Sequence, residues 1–340
     1  MYNVIQCAVQ GRGHIKDNIP CQDKTYSLCK NGTHVIALAD GAGSAKFSHF
    51  GAAYVTKKIC ENLVDEFNLY FEEKDGVAVK RKILNFLLNG LETMAFENSA
   101  TLKDFASTLL VVAISLDRYI IIHIGDGVIG YLKDNELKVA TQPDNGEFVN
   151  TTFFVTSKDV VKKMRLMKGY LNSIKGFILM SDGTEVSFYN KKEKTLTSSL
   201  IPIMNLMNYV NSEDLQNELL CSFETIIKKN TVDDCSISIL MKDYFDFLGF
   251  DTLSVREKYN LLFNTDSYVN KKKLKLVKRY SEILFCLSNP KNLKQLSREI
   301  RLKEKYLKKH LSRLLEMNYV IKKNNSYKTI LIMKKNEGDM

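Results

Sequence analysis

Several apolar runs in this chain meet an aspartate at their edge, with a small residue beside it. Asp40 closes "VIALAD" and is followed by Gly41, Ala42, Gly43 and Ser44. Asp126 lies in "HIGDG", Asp182 in "LMSDG", and Asp234 stands just before the apolar run of "TVDDCSISIL". One Asp-Gly after a strand is ordinary turn chemistry. Repetition changes the reading, because neighbouring strands lie about 4.8 Å apart and carboxylates at adjacent ends on one edge converge. Converging carboxylates repel one another unless a cation neutralises them. A set of oxygen donors with no histidine or cysteine selects hard ions, Mg²⁺ or Mn²⁺, over zinc.

Those carboxylates need strands that end together. Thr33 to Ala39 is a short apolar run entered through Asn31-Gly32, a hairpin signal after a strand over Lys24 to Cys29. Beyond the glycines, Ala52, Val55, Ile59, Leu63 and Phe67 recur at helical spacing, and a second amphipathic helix spans roughly Val77 to Phe96. Ser107 to Leu116, Tyr119 to Ile124 and Val128 to Leu132 read as a meander. Further strands are expected over Thr151 to Val155, Gly176 to Met180 and Cys235 to Met241, with helices near Thr184 to Tyr189 and Ser212 to Ile227. Strand runs flanked by long helices describe the α+β class, with helices on antiparallel sheets, rather than a parallel doubly wound fold.

The ordered set "PCQD", "ALADGAGSAKFSHFGA", "ASTLLV", "IGDG", "SDG" and "DDCSISIL" resembles the metal-dependent Ser/Thr phosphatases of the type 2C class over about residues 1–241. It is most similar to a bacterial branch with DGAG where animal enzymes carry DGHG. The resemblance implies a four-layer αββα sandwich with two Mn²⁺ or Mg²⁺ ions at one end. It implies that Asp40 bridges both ions, that the Gly41 carbonyl, Asp182 and Asp234 are ligands, that Asp23 holds a water of the metal site, and that Asp126 serves a third, weaker ion. The implied activity is hydrolysis of phosphoserine and phosphothreonine in the target of a Ser/Thr kinase, by water activated between two ions. Asp40, Asp182 and Asp234 are then the catalytic set.

The chain departs from the family pattern at two positions. Many members grip phosphate with an arginine five residues before the Asp of "QD", and that position here is Asn18. Arg12, His14 and Lys16 are the nearby substitutes, and Arg12 is the best phosphate fork. Ala42 replaces the DGHG histidine, a candidate general acid. His49 and His123 are alternatives, although a histidine inside a helix or strand is more often structural. Asp233 reads as a supporting or turn residue and Glu185 as a helix-start carboxylate.

Charge divides the chain. Residues 271–340 carry 20 Lys/Arg against 6 Asp/Glu, a net +14, while the whole chain is +10. The acidic and basic parts therefore face different partners. The tail reads as helices over Leu274 to Leu287, Leu293 to Ile300 and Glu304 to Met317, then a strand pair, Tyr319 to Lys322 and Tyr327 to Met333, around Asn324-Asn325. That order describes a winged helix-turn-helix. Leu307, Leu311 and Leu314 share a face, leaving Lys305, Lys308, Lys309, Ser312 and Arg313 for a ligand, with Lys322 and Lys323 on the wing. DNA, RNA or a protein is the expected partner of this surface. The expected division is a catalytic domain over 1–243, an aromatic, ordered connector over 244–270 and a winged helix over 271–335. A second reading is a regulator that binds DNA through the tail and senses a ligand or phosphoprotein with little turnover.

Seven scattered cysteines without a C-x-x-C pair suit a reducing cytoplasm, mostly as buried small hydrophobes. No apolar stretch approaches the roughly 20 residues of a membrane span, and the first residues lack a signal-peptide pattern.

Overall fold

The computed structural model describes residues 2–143, 152–243, 249–263 and 270–333. The chain opens with β1 (Tyr2–Val9), α1 (Arg12–Lys16), β2 (Lys24–Lys30), β3 (Thr33–Ala39), α2 (Ser48–Glu72) and α3 (Gly76–Glu97). Four strands follow: β4 (Leu109–Ser115), β5 (Arg118–Ile124), β6 (Val128–Lys133) and β7 (Glu136–Thr141). Then come α4 (Val160–Lys163), β8 (Arg165–Tyr170), β9 (Ile174–Met180) and α5 (Asp182–Phe188), with a short ladder of β10 (Tyr189–Asn190) and β11 (Thr195–Leu196). Next are α6 (Leu200–Leu206), α7 (Ser212–Thr225), β12 (Cys235–Lys242), α8 (Val255–Phe263) and α9 (Lys271–Cys286). The last elements are β13 (Lys291–Asn292), α10 (Leu293–Ile300), α11 (Glu304–Glu316), β14 (Val320–Lys323) and β15 (Ser326–Thr329).

The chain divides into two compact units, one of Met1–Met204 with Gln216–Asp243, the other of Asn205–Leu215 with Tyr244–Met340. The first unit is α+β and contains two antiparallel five-stranded sheets, ordered β1-β12-β9-β6-β7 and β2-β3-β4-β5-β8. The unbroken apolar run of β3 has a physical cause: both of its faces are covered. Val35, Ala37 and Ala39 pack with Ala52, Val55 and Ile59 of α2 and with Ile83 and Leu87 of α3. Ile36 and Leu38 alternate into a second core with Leu110 and Val112 of β4 and Phe177 and Leu179 of β9, which joins the two sheets. α3 begins at Asp75, whose side chain accepts hydrogen bonds from the Val77 and Ala78 N–H groups. On the edge strand β1, the Gln216 side-chain amide bonds both the N–H and the carbonyl of Gln6, occupying groups that the sheet leaves unpaired.

The expected meander is corrected at one joint. β4 and β5 pair in one sheet, but β6 pairs with β7 and β9 in the other. The crossing occurs at Gly125, whose φ of 115° is open to glycine alone at low cost. Residues 152–155 form no strand, and Thr151 of the expected strand lies outside the described residues. β7 and β8 carry no strong apolar alternation and are found only through their pairing, and β1, where Ile5, Cys7 and Val9 alternate inward, adds an edge strand that the sequence reading did not include.

In the second unit, α9, α10 and α11 accompany a sheet ordered β13-β15-β14, whose first strand lies between α9 and α10. Val277, Tyr280, Ile283, Leu296, Leu307, Leu311 and Leu314 are buried. Asn292 and Gln295 form a capping box that starts α10. Asn324 and Asn325, with φ of 46° and 62°, make the tight β14–β15 turn. The unit reaches beyond the expected limits. Val210 bridges Leu331, the Asn211 N–H donates to the Ile330 carbonyl at 3.1 Å, and the Ile332 N–H donates to the Tyr209 carbonyl at 2.8 Å. The Phe250 N–H donates to the Ile332 carbonyl at 2.6 Å. Of the expected connector, residues 249–263 carry a 3-10 turn (Phe250–Thr252) and α8, while Tyr244, Phe245 and Phe247 lie outside the described residues.

Candidate active site

Strand register brings the aspartates to one end of the sandwich. Lys24 pairs with Ala39, so Asp23 and Asp40 flank the same rung. Leu38 pairs with Leu110 and Leu109 with Ile124, which carries the edge across β4 to the Gly125-Asp126 crossing. In the other sheet Met180 pairs with both Val128 and Ile237. Asp182, just past β9, and Asp233-Asp234, just before β12, therefore share that edge.

Local bonds fix each group. The Asp40 N–H donates to Thr108 Oγ1 at 2.9 Å and its carbonyl accepts the Thr108 N–H at 2.8 Å. Gly41 bridges Ser107, and a side chain there would come within 2.9 Å of Ser48, so the glycine lets α2 begin against the loop. Asp182 Oδ1 accepts the Gly183 N–H at 2.7 Å, and a Cβ on Gly183 would lie 2.1 Å from the Asp234 carbonyl oxygen. Thr152 Oγ1 donates to Asp126 Oδ2 at 2.5 Å. Glu185 pairs with Lys191 at 2.5 Å.

The adjacent aspartates, both beside His14, sit in different surroundings. Asp234 is 1% exposed. Its Oδ1 accepts the Gly11 N–H at 2.6 Å and its Oδ2 the Gln22 N–H at 2.5 Å, with His14 Nδ1 2.9 Å from Oδ1. It is occupied in tying the β1–α1 loop and the Gln22 backbone to the start of β12. Asp233 is half-exposed and adds repulsion to both Asp40 and Asp182, while Asp234 adds repulsion to Asp23. Asp234 thus acts on the cluster from its buried side and Asp233 from its half-exposed side. The signal for Asp233 in the sequence was only the doubled aspartate.

The cluster carries unbalanced negative charge. Burial lifts the Asp40 carboxyl well above its ordinary range, and Asp23, Asp182, Asp233 and Asp126 lift it further. Burial pushes Asp182 up to about 8, with Asp126, Asp233 and Asp23 adding repulsion. Asp23 is pushed up to about 6 by burial, against the Ser236 and Ser181 hydroxyls nearby. Both Asp23 oxygens are buried without a hydrogen bond of ordinary geometry. Such orphaned acceptors beside other carboxylates fit a hard cation or its water shell. Among the described residues no group of three or more His, Cys, Asp or Glu makes a ready metal cage. Ions that retain several waters need only one or two carboxylates each.

The family model described as protein phosphatase 2C matches residues 10–222. The chain belongs to the protein phosphatase 2C family. Serine/threonine-protein phosphatase 3 of Escherichia coli (strain K12) is 25% identical over 259 residues, covering 71% of this chain and 98% of that protein. The crystal structure of the serine/threonine phosphatase Stp1 from Staphylococcus aureus matches with a TM-score of 0.51 at 15% identity, over 72% of this chain and 96% of that one. The crystal structure of a bacterial serine phosphatase gives a TM-score of 0.51 at 14% identity, over 72% of this chain and 99% of that one.

Within this protein phosphatase 2C domain, the departures acquire structural reasons. Ala42 is 7% exposed and packs with Ala45, Ala106 and Phe154, so its position belongs to a small apolar cluster. His14 lies between the two aspartates, its Nδ1 2.9 Å from Asp234 Oδ1 and its Nε2 3.9 Å from Asp233 Oδ1. Arg12 is exposed, its Nε donating to the Thr231 carbonyl at 3.1 Å beside the Asp233 turn. His123 is buried, with Nδ1 2.6 Å from Thr141 Oγ1 and Nε2 2.8 Å from the Gly125 carbonyl, a structural brace. The cysteines are all free, with Cys7, Cys60 and Cys235 buried and Cys29 and Cys221 exposed. In the second unit Lys305, Lys308, Lys309, Ser312, Arg313 and Lys323 are exposed. Ser312 donates to Glu316 at 3.1 Å, and Lys322 Nζ lies 5.5 Å from the centre of the Tyr327 ring. No helix among the described residues is long and apolar enough to cross a membrane.

Proposed function

We propose that this chain is a Mn²⁺- or Mg²⁺-dependent phosphatase acting on phosphoserine and phosphothreonine in proteins. The observation that carries the reading is the cluster of buried, mutually repelling carboxylates with both Asp23 oxygens orphaned. The names of the relatives support the substrate class. Asp40, Asp182, Asp233 and the Gly41 carbonyl would hold two cations, with Asp23 toward their water shell and Asp126 toward a third. When bound, the cations neutralise charge on the phosphate and acidify water near neutral pH.

The chain supplies the alignment. Thr108 clamps the Asp40 backbone, Thr152 orients Asp126, and Asp234 holds the loop bearing Arg12 beside Asp233. Arg12 is the cation we assign to the substrate phosphate, since its anchored Nε leaves the outer guanidinium edge for a bidentate contact. Proton delivery to the leaving alcohol falls to water rather than to a side chain at position 42. Turnover of a phosphopeptide should require Mn²⁺ or Mg²⁺, stop on chelation, and vanish in Asp40→Asn and Asp182→Asn. Metal-independent turnover unaffected by both changes overturns the reading.

The second unit is, on this reading, a winged helix whose α11 and wing meet the phosphates of DNA or RNA through Lys305, Lys308, Lys309, Arg313, Lys322 and Lys323. The supporting observation is the exposed cationic face opposite the buried Leu307, Leu311 and Leu314. Binding of duplex DNA by the full chain should weaken steeply with salt. No binding at low salt would leave the face to a protein partner.

A further inference from the structure

We infer that the first unit carries a cationic groove beside the aspartate edge that takes acidic residues flanking the phosphorylated residue of a protein substrate. A cavity of about 720 Å³ is lined by Lys80 of α3, Thr141 and Gln142 at the end of β7, and Lys162, Lys163 and Arg165 at the α4–β8 junction. Residues 1–270 as a whole hold 29 Lys/Arg against 33 Asp/Glu, so a groove walled by cations is not an average of this surface.

The groove's cations are not equivalent. Lys162 is paired with Asp159 at 3.1 Å, and Arg165 Nη1 donates to the Gln142 carbonyl at 2.6 Å, so both are engaged in building the wall. Lys80 and Lys163 pair with no carboxylate among the described residues. Lys163 Nζ lies 4.6 Å from the centre of the Phe153 ring, an attraction that steadies the ammonium without neutralising it. These are the charges left for a ligand.

Contacts tie the groove to the catalytic edge by separate routes. His123 spans from Thr141 Oγ1, on the groove wall, to the Gly125 carbonyl next to Asp126. Arg165 pairs in register with His123, at the same level of the sheet. Phe153, under Lys163, follows Thr152, whose hydroxyl bonds Asp126. On this reading the residues flanking a phosphoresidue held at the aspartates run along the wall that carries Lys163, with Lys80 lining the same groove. Carboxylates there gain paired charge, whereas basic residues meet repulsion.

This inference rests on the phosphatase reading, and the test separates the two. Turnover of p-nitrophenyl phosphate, too small to reach the groove, reports the aspartate site alone. Phosphothreonine peptides with Asp or Glu at several flanking positions are compared with the same peptides carrying Gln or Lys. Wild type should prefer the acidic peptide in kcat/KM by about 5-fold or more over the neutral one, through KM, fading as salt rises. The Lys80→Glu, Lys163→Glu double variant should remove or invert that ratio, and Lys80→Arg with Lys163→Arg should keep it. Absence of p-nitrophenyl phosphate turnover in wild type sinks the phosphatase reading. Normal turnover with no acidic preference, or a preference unchanged in the reversed variant, overturns the groove.

Discussion

The paired aspartates before β12 pose the sharpest question at the scale of single residues, because neighbours in sequence do different work. Asp234 accepts two backbone N–H groups in a buried site, so Asp234→Asn leaves at least one donor or amide group badly paired. It should cost about 1–3 kcal/mol in urea unfolding, with metal affinity following stability rather than preceding it. Asp233→Asn should leave the unfolding midpoint nearly unchanged while weakening Mn²⁺ binding about 10-fold or more, read by titration calorimetry. A pH signature belongs to the same cluster. In the metal-free chain the carboxyls of Asp23 and Asp182 hold protons up to about 6 and about 8, against 3.8 when unfolded. Between those values the folded state binds more protons than the unfolded one, so stability is greatest at the acid end of that window and falls as pH rises through it. Thermal melts in chelator should show that decline, smaller in Asp182→Asn, and saturating Mn²⁺ should flatten it.

At the scale of elements, what was legible in the sequence is what local pattern controls. β3, β4 and β5, the helices α2 and α3, and the tail helices α9, α10 and α11 announce themselves through continuous or helically spaced apolar residues. The carboxylates at Asp40, Asp126, Asp182 and Asp234 were legible because each sits at the edge of such a run, whereas Asp23 came only through the family resemblance, since β2 behind it is a mixed strand. β1, β7 and β8 lie at sheet edges, where one side of the backbone meets no strand and mixed residues suffice. The partition of β5 and β6 between sheets depends on Gly125, whose backbone angle no spacing rule reveals. The roles of Asp233 and Asp234 depend on contacts with Gly11 and Gln22, more than 200 positions away. One element-level test concerns that loop. A Cβ on Gly11 would lie 2.3 Å from the Asp233 carbonyl carbon, so Gly11→Ala must push the β1–α1 loop off the turn before β12. It should lower stability by about 1–3 kcal/mol and raise KM for phosphopeptide through displaced Arg12, with the sheets intact by circular dichroism.

On the scale of the whole molecule, the units are not consecutive in sequence, and this decides how the protein can be cut. The second unit uses residues 205–215, from the end of α6 into the first turn of α7, where Val210 bridges Leu331 and Tyr209 and Asn211 bond Ile332 and Ile330. A fragment beginning at residue 271 has neither that bridging segment nor the Tyr319 hydroxyl's acceptor, the Leu261 carbonyl at 2.6 Å. A chain ending at Asp243 keeps residues 205–215 but strips Val210, 1% exposed, of its bridge partner Leu331. Burial of one such side chain is worth about 1.5–3 kcal/mol, and the bonds of the lost ladder add about 1 kcal/mol each. The 1–243 chain should therefore melt several degrees below the full chain and expose apolar surface to a hydrophobic dye. A fragment spanning 249–340 should recover helical circular dichroism on adding a peptide of residues 203–217, where the fragment from 271 does not. Equal melting temperatures for the full and 1–243 chains, or independent folding from 271, would show that the bridging segment contributes nothing.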